Sequence, residues 1–258
     1  MAGAFTITVL GSGTSHGVPM IACDCAVCTS ADPRDRRTRP SILIQYDATT
    51  LLVDTSPELR LQCLANNVRR VDAVLYTHHH IDHLAGLDDL RRFNWLQEAA
   101  IPCYGQPATL ERLRTMFAYV FEDDAEYPSA KPRLELREID GPLDIGGQTI
   151  TPIPLLHGRM PVLGFRVGSF AYCTDVSEIP QESWGLLSGL DVLILDALRK
   201  RPHPTHFNLE QAVDHARRIL ARQTYFTHIA HELPHEETNR ELPKGMALSY
   251  DGLVIDTQ

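Results

Sequence analysis

The sequence predicts an α/β protein in which two β-sheets pack face to face beneath outer helices, a four-layer α/β/β/α sandwich. Three observations point there. Short apolar, β-branched runs alternate with helical patterns, both halves carry strands followed by helices, and no Ser/Gly/Pro-rich linker divides the chain. At 258 residues a substantial core can be buried, and a single domain over 1–258 is expected. No internal repeat is strong enough to establish duplication.

Taken in order, FTITVL (5–10), SILIQY (41–46) and TLLVD (50–54) read as strands, the first two parted by a Gly- and Cys-rich loop. This start reads as antiparallel. Pro57 opens a helical stretch through about Asn67, and VDAVLYT (71–77) returns as a strand. Leu84, Leu87 and Leu90 then recur at helical spacing as a core-facing stripe, and a second helix is expected from Pro107 to Val120. The second half predicts strands near 148–153, 162–167 and 169–173, a short helix near 180–188, a strand DVLILD (191–196), a helix over 208–221 and a strand over 223–227.

Composition narrows the function. A formal charge of −9 argues against the broad basic surface needed to grip long nucleic acid and favours a small substrate. The basic run Arg34, Arg36, Arg37 and Arg39 is expected to be a solvated loop without a specific role. No apolar stretch approaches the ~20 residues that span a membrane. The N-terminus lacks a signal-peptide pattern, so a cytoplasmic location and no membrane partner are expected. Cys63, Cys103 and Cys173 are scattered and read as buried apolar residues; Cys23, Cys25 and Cys28, crowded into six positions, read as a metal site.

The chemistry begins in THHHIDHLAG, where His78, His80, Asp82 and His83 put four potential ligands into six positions. On a helix His78 and His80 would face apart, so convergence needs an extended or irregular turn after the strand 71–77. Imidazole and carboxylate donors suit zinc, manganese or iron, with no thiolate here to select strongly for zinc. Four ligands cannot complete two coordination shells. His157 in PIPLLHG, Asp175 in YCTDVSE and His228 in YFTHIAH each follow an apolar run and are candidates for the remainder.

The pattern H-x-H-x-D-H, followed downstream by His, Asp and His, resembles the metallo-β-lactamase superfamily over most of the chain. The resemblance implies that fold, with a dinuclear centre of zinc or manganese. His78, His80 and His157 would hold one metal, Asp82, His83 and His228 the other, and Asp175 would bridge them; Asp82 also counts as catalytic. His79 falls at a variable position and is not carried over. Two divalent ions less Asp82 and Asp175 leave a formal +2, or +1 once hydroxide is bound, which attracts an anionic substrate despite the overall −9. The metals would lower the pKa of a bridging water toward ~7 and supply hydroxide. Asp54, at the end of LLVD, resembles the family's aspartate that orients a ligand histidine through its other ring nitrogen.

GSGTSHGVP leading into the cysteines, with THIAH near the end, resembles the phosphoribosyl 1,2-cyclic phosphate phosphodiesterase branch. That resemblance implies hydrolysis of a cyclic phosphodiester and a separate structural zinc on three cysteines and a histidine. Cys23, Cys25 and Cys28 need a fourth ligand, and His231, three residues beyond His228, is the expected one. The branch also places a catalytic histidine before a helix; His206 in PTHFNLEQA occupies that place as general acid for the leaving oxygen. The aromatic and acidic stretch 118–128, with Tyr119, Phe121 and Tyr127, lies where the superfamily often places a flap. Gly11, Gly13 and Gly17 lack the lysine and order of a P-loop and read as a simple turn.

The function expected is therefore metal-dependent hydrolysis of a small phosphodiester, with a small anionic molecule as partner and a homodimer allowed. Rivals are a tRNA 3′-processing nuclease, a thioester or lactone hydrolase and, outside catalysis, a metal-binding scaffold in cofactor biosynthesis.

Overall fold

The computed structural model describes residues 5–122 and 131–257. The first sheet is built mainly from the N-terminal half: β1 (Thr6–Gly11), β2 (Ser41–Tyr46), β3 (Thr49–Val53), β4 (Ala73–Leu75), β5 (Ile101–Gly105) and β6 (Leu134–Glu138). Against its outer face lie α1 (Leu59–Ala65), α2 (Ile81–Leu84), α3 (Arg91–Gln97) and α4 (Pro107–Met116), the last followed by the short α5 (Ala118–Phe121). The second sheet holds β7 (Leu143–Ile145), β8 (Gln148–His157), β9 (Met160–Val167), β10 (Phe170–Cys173), β11 (Val192–Asp196), β12 (Gln223–Thr227) and β13 (Met246–Leu248). Alongside run α6 (Leu209–Ile219) and α7 (His235–Glu241), and β14 (Val254–Asp256) returns to the first sheet beside β1.

Side-chain alternation explains the layering. Ile42 and Ile44, Leu51 and Val53, and Val192 and Ile194 meet between the sheets, while Leu43, Leu52, Leu193 and Leu195 turn outward under the helices. Because a strand presents successive side chains to opposite faces, strands that are apolar throughout can only be covered on both sides. This is the four-layer sandwich predicted from the sequence.

Strand direction positions the site. In the first sheet β3, β4 and β5 run parallel. In the second, β10, β11 and β12 are parallel, and β8 is aligned with them through the antiparallel β9. Their carboxyl ends therefore collect at one edge, where loops can carry chemistry on a rigid base.

Several elements differ from expectation. The helix foreseen over 107–120 breaks at Phe117, and the short helix near 180–188 is a 3-10 segment, Gln181–Leu187. The strands β8 and β9 extend to His157 and from Met160, because the two pair with each other along their whole length. The edge strands β6, β7, β13 and β14 carried no legible signal: they are short or mixed in polarity, and their pairing partners define them.

The basic run is not a solvated loop. Arg37 is buried, its guanidinium donating to Asp35 at 3.0 Å and to the carbonyl oxygens of Ala230 and Leu233 at 3.2 and 2.8 Å. Arg34 pairs with Asp32 and Glu236, and Arg39 with Glu58, leaving Arg36 exposed. A run of like charge reads as surface until its partners, some 200 residues away in sequence, are seen. Of the three glycines only Gly17 closes a turn, its amide donating to the Thr14 carbonyl at 2.7 Å; Gly11 ends β1 and Gly13 bridges to Ile229, packed so closely that a Cβ there would lie 2.7 Å from the Arg37 carbonyl oxygen.

Candidate metal centre

β4 stops at Leu75, and the chain stays extended through His80 before α2 begins, so His78, His80, Asp82 and His83 converge as the irregular turn requires. His157 is the last residue of β8; Asp175 lies two residues beyond β10 and His228 one beyond β12. Asp54, Asp175 and His228 all adopt left-handed backbone, with φ of 63°, 55° and 60°. That conformation is uncommon for residues with a Cβ, and here it turns each side chain sharply off a strand end into the site.

Two groups of donor atoms result, each within 4.8 Å of one another: His78, His80, His157 and Asp175, and Asp82, His83, Asp175 and His228. Asp175 belongs to both, and His79 belongs to neither. Every member is buried except His80, which is exposed. The His83 Nε2 lies 3.2 Å from one Asp175 oxygen and 3.6 Å from Asp82, and the His228 Nε2 lies 3.4 and 3.6 Å from the same two carboxylates.

The neighbouring groups fix the imidazole tautomers. Asp54 accepts from His83 Nδ1 at 2.7 Å and from the Thr77 amide and hydroxyl at 2.9 and 2.8 Å. The Thr77 hydroxyl, its proton spent on Asp54, accepts from His78 Nδ1 at 3.0 Å. His157 Nδ1 donates to the Thr205 carbonyl at 2.6 Å. Each ring thus turns its Nε2 toward the cluster.

The residues fit divalent metals. The Nε2 atoms of His78, His83 and His228 are fully buried with no hydrogen-bond partner, although unpartnered buried polar atoms are costly. Burial and the His83 charge push His78 well below its ordinary pKa, and burial lowers His157 to about 4, so both are neutral and able to ligate. Burial opposes charge on His83 too, yet Asp175, Asp54 and Asp82 outweigh it and raise its pKa strongly. A cluster this rich in buried carboxylate calls for positive charge at its centre.

His206 stands beside the cluster, its ring centroid 4.5 Å from His157 and 4.6 Å from His228. Its Nδ1 donates to Asp196 at 3.0 Å, which points Nε2 the other way. Burial disfavours the charged ring, but Asp196 more than compensates and raises the pKa to about 9. Asp196 is fully buried at the end of β11 and also accepts the Val176 amide at 2.9 Å. Sequence reading missed this aspartate; the signal was present in LILD, an acid closing an apolar strand, as Asp54 does in LLVD.

The cysteine loop closes on His231. Cys23, Cys25 and Cys28 place Sγ at 3.2, 3.5 and 3.4 Å from His231 Nδ1. A tetrahedral zinc with three thiolates and one imidazole sets such separations at about 3.5 Å. The Cys28 amide donating to Cys25 holds the latter's thiol down at about 6. Cys63, Cys103 and Cys173 are buried, as expected of apolar residues.

A cavity of about 240 Å³ lies between His206 and His231. The loop Thr14–Gly17 forms one wall, and Arg199, Arg201, His203 and His16 bring donors to it; Arg201 is held by Glu232 at 2.8 Å. Of the supposed flap, Tyr119 is half exposed and donates to Asp88, whereas Tyr127 and the rest of 123–128 lie outside the described residues.

A face-to-face αββα sandwich with His/Asp metal-binding clusters at the carboxyl ends of its strands defines a metallo-β-lactamase superfamily hydrolase. The chain belongs to that superfamily and, within it, to the PhnP family: the beta-lactamase superfamily domain matches residues 49–229, and a crystal structure of a PhnP-family diphosphatase is 46% identical with a TM-score of 0.94. That match covers 100% of this chain and 98% of the other. An octanoyltransferase of Porphyromonas gingivalis is 40% identical over 255 residues, covering 96% of this chain but 51% of that protein. This chain spans about half of that relative, so the relative's activity does not transfer with the match. Zn²⁺-bound PqqB from Methylobacterium extorquens shares the fold at 20% identity, with a TM-score of 0.77 over 98% of this chain and 100% of that one.

Proposed function

We propose that this protein is a phosphodiesterase that hydrolyses a small, anionic, cyclic phosphodiester at a centre of two divalent metals, zinc or manganese. The observation carrying the proposal is the pair of donor groups sharing Asp175, with His206 alongside. His78, His80, His157 and Asp175 would hold one metal, and Asp82, His83, His228 and Asp175 the other. A third ion, zinc, would sit on Cys23, Cys25, Cys28 and His231, for which soft thiolates are the natural donors. When bound, the paired ions would supply hydroxide at neutral pH and neutralise charge on the phosphoryl oxygens.

The chain's own residues do the rest. Asp54, Thr77 and the Thr205 carbonyl hold three imidazoles in the ligating tautomer. His206, oriented by Asp196, gives its Nε2 proton to the departing alkoxide. Arg199, His203 and His16 gather an anion in the adjoining cavity, whose 240 Å³ is below the ~300–1,000 Å³ of drug-sized sites and suits a sugar-sized molecule. Long nucleic acid, a membrane and an acyl thioester are not the partners this site favours, and the cytoplasm is the proposed location. Among the described residues no helix is long and apolar enough to cross a membrane.

A second reading has support of its own. The 46% identical PhnP-family structure is a diphosphatase, so the scissile bond in this chain's substrate could equally be a phosphoanhydride. The leaving group is then a phosphate, which needs less help from an acid.

The test is hydrolysis of bis(p-nitrophenyl) phosphate, a dinucleoside diphosphate, p-nitrophenyl phosphate and a thioester by metal-quantified wild type and Asp82→Ala. Diester cleavage abolished in the variant supports the first reading, and preference for the diphosphate the second. Thioester preference would point to a carbonyl hydrolase, and no turnover at full metal loading would indicate a scaffold.

A further inference from the structure

A second cavity, of about 550 Å³, lies between α1 and α3 on the outer side of the first sheet, and none of the metal-centre residues lines it. Its apolar interior is made by buried Cys63 and Phe93, half-buried Val68, and the exposed Leu64 and Leu96. Leu61, Leu64, Trp95 and Leu96 on these two helices are 57, 64, 70 and 45% exposed, although an ordinary helix surface keeps such residues inside.

Charge around the cavity is one-sided. Arg60, Arg69 and Arg92 line it against Asp89, the one carboxylate among its lining residues, in a chain of net charge −9. Neighbouring Arg70 and Arg91 are ion-paired with Asp72 and Asp88, whereas Arg60, Arg69 and Arg92 enter no ion pair among the described residues. Arg92 instead lies over the Trp95 ring, 4.4 Å from its centroid. Arg69 donates to the Asn67 side chain at 2.8 Å, so the structure sets guanidinium groups without a carboxylate partner beside an apolar slot of small-ligand size.

We propose that this cavity binds an amphipathic monoanion, a medium-length straight-chain carboxylate whose methylenes lie against Cys63, Val68 and Phe93 and whose head group is held by Arg60, Arg69 and Arg92. A concave slot suits a flexible chain better than it suits the flat face of a second protein. Burial holds the Cys63 thiol up at about 12, so it stays protonated and the complex is non-covalent. The site is independent of the proposed reaction.

Calorimetric titration with octanoate tests this, on wild type and on the metal-centre variant Asp82→Ala. At roughly fourfold per buried methylene, octanoate should bind about fifteenfold more tightly than hexanoate. Octanol should bind at least tenfold more weakly than octanoate, and Asp82→Ala should leave the octanoate affinity unchanged. Arg92→Glu and Arg69→Glu, both at exposed positions, should each weaken octanoate at least tenfold without altering diester hydrolysis. Trp95 emission should change on binding, and Trp95→Phe should remove that signal. The proposal is overturned by the absence of saturable heat at millimolar octanoate, by equal affinity for octanol, by loss of binding in Asp82→Ala, or by unchanged binding in both arginine variants.

Discussion

The two donor clusters of this chain are assembled in opposite ways. The histidine–aspartate cluster draws on residues from His78 to His228, delivered by the ends of β4, β8, β10 and β12 and oriented by buried partners such as Asp54. The cysteine cluster takes three donors from one six-residue loop and a fourth from His231, with backbone amides of Met20 and Cys28 donating to sulfur. One is made by the fold; the other is a local clasp that the fold closes. They meet in the segment 228–231, where Ile229 exchanges backbone hydrogen bonds with Ser12 and Thr14, and Arg37 grips the Ala230 carbonyl. A disturbance of the clasp should therefore reach the histidine–aspartate cluster only weakly, through position, whereas a disturbance inside that cluster should act on its chemistry.

The largest effect that would sharpen this contrast is expected from His206→Ala. The variant should retain the full metal complement by elemental analysis and lose about 10²–10⁴-fold in kcat for a diester with a poor leaving group. For p-nitrophenolate, which needs little protonation, the loss should be far smaller. Unchanged kcat with the poor leaving group removes His206 from the reaction. Asp196→Asn should fall between the two, at about tenfold or more, since it misorients the ring without deleting it.

Cys25→Ser should come next. We expect one zinc lost, about 3 kcal/mol of stability and so a Tm lower by roughly 6–12 °C, with kcat reduced only severalfold. If Cys25→Ser instead abolished activity while the paired metals stayed bound, the two clusters would be one functional unit and the comparison would fail.

The smallest effect concerns the brace behind the clasp. His235 is buried with Nδ1 unpartnered, and burial, reinforced by Arg34 and Arg37, lowers its pKa to about 4, while Asp32 and Asp35 pull the other way. In the unfolded chain it titrates near 6.5 and binds its proton first on acidification. Its contribution to stability is thus complete above pH 6.5 and is lost progressively as the pH falls toward 4. The urea midpoint of wild type should fall more steeply than that of His235→Gln between pH 7 and 5. Parallel curves would show that His235 carries no such linkage.

How much of this could be read beforehand depends on how local the cause is. His78, His80, Asp82 and His83 announce themselves by density, and Cys23, Cys25 and Cys28 by spacing. The apolar runs that became β2, β3 and β11 predicted strands because both faces of each are covered. Asp196 escaped notice because a single aspartate after an apolar strand has many ordinary explanations, and its role exists only beside His206, ten residues on. Arg37 misled for the same reason, since its partners at 230 and 233 are distant in sequence.

The sequence by itself determined the layer architecture, the chemical type of both donor sets and the candidate residues, because hydrophobic period and ligand identity are properties of short stretches. Tertiary structure alone decided that Asp54, Asp175 and His228 turn left-handed off their strands, that Asp175 is shared by two donor groups, and that Asp196 sets the His206 tautomer. The same is true of Arg60, Arg69 and Arg92, which surround an apolar slot that no residue of the histidine–aspartate cluster lines. These are relations between residues tens to hundreds of positions apart, and they come into being only when the parallel strands bring their carboxyl ends, and the loops beyond them, to a common edge.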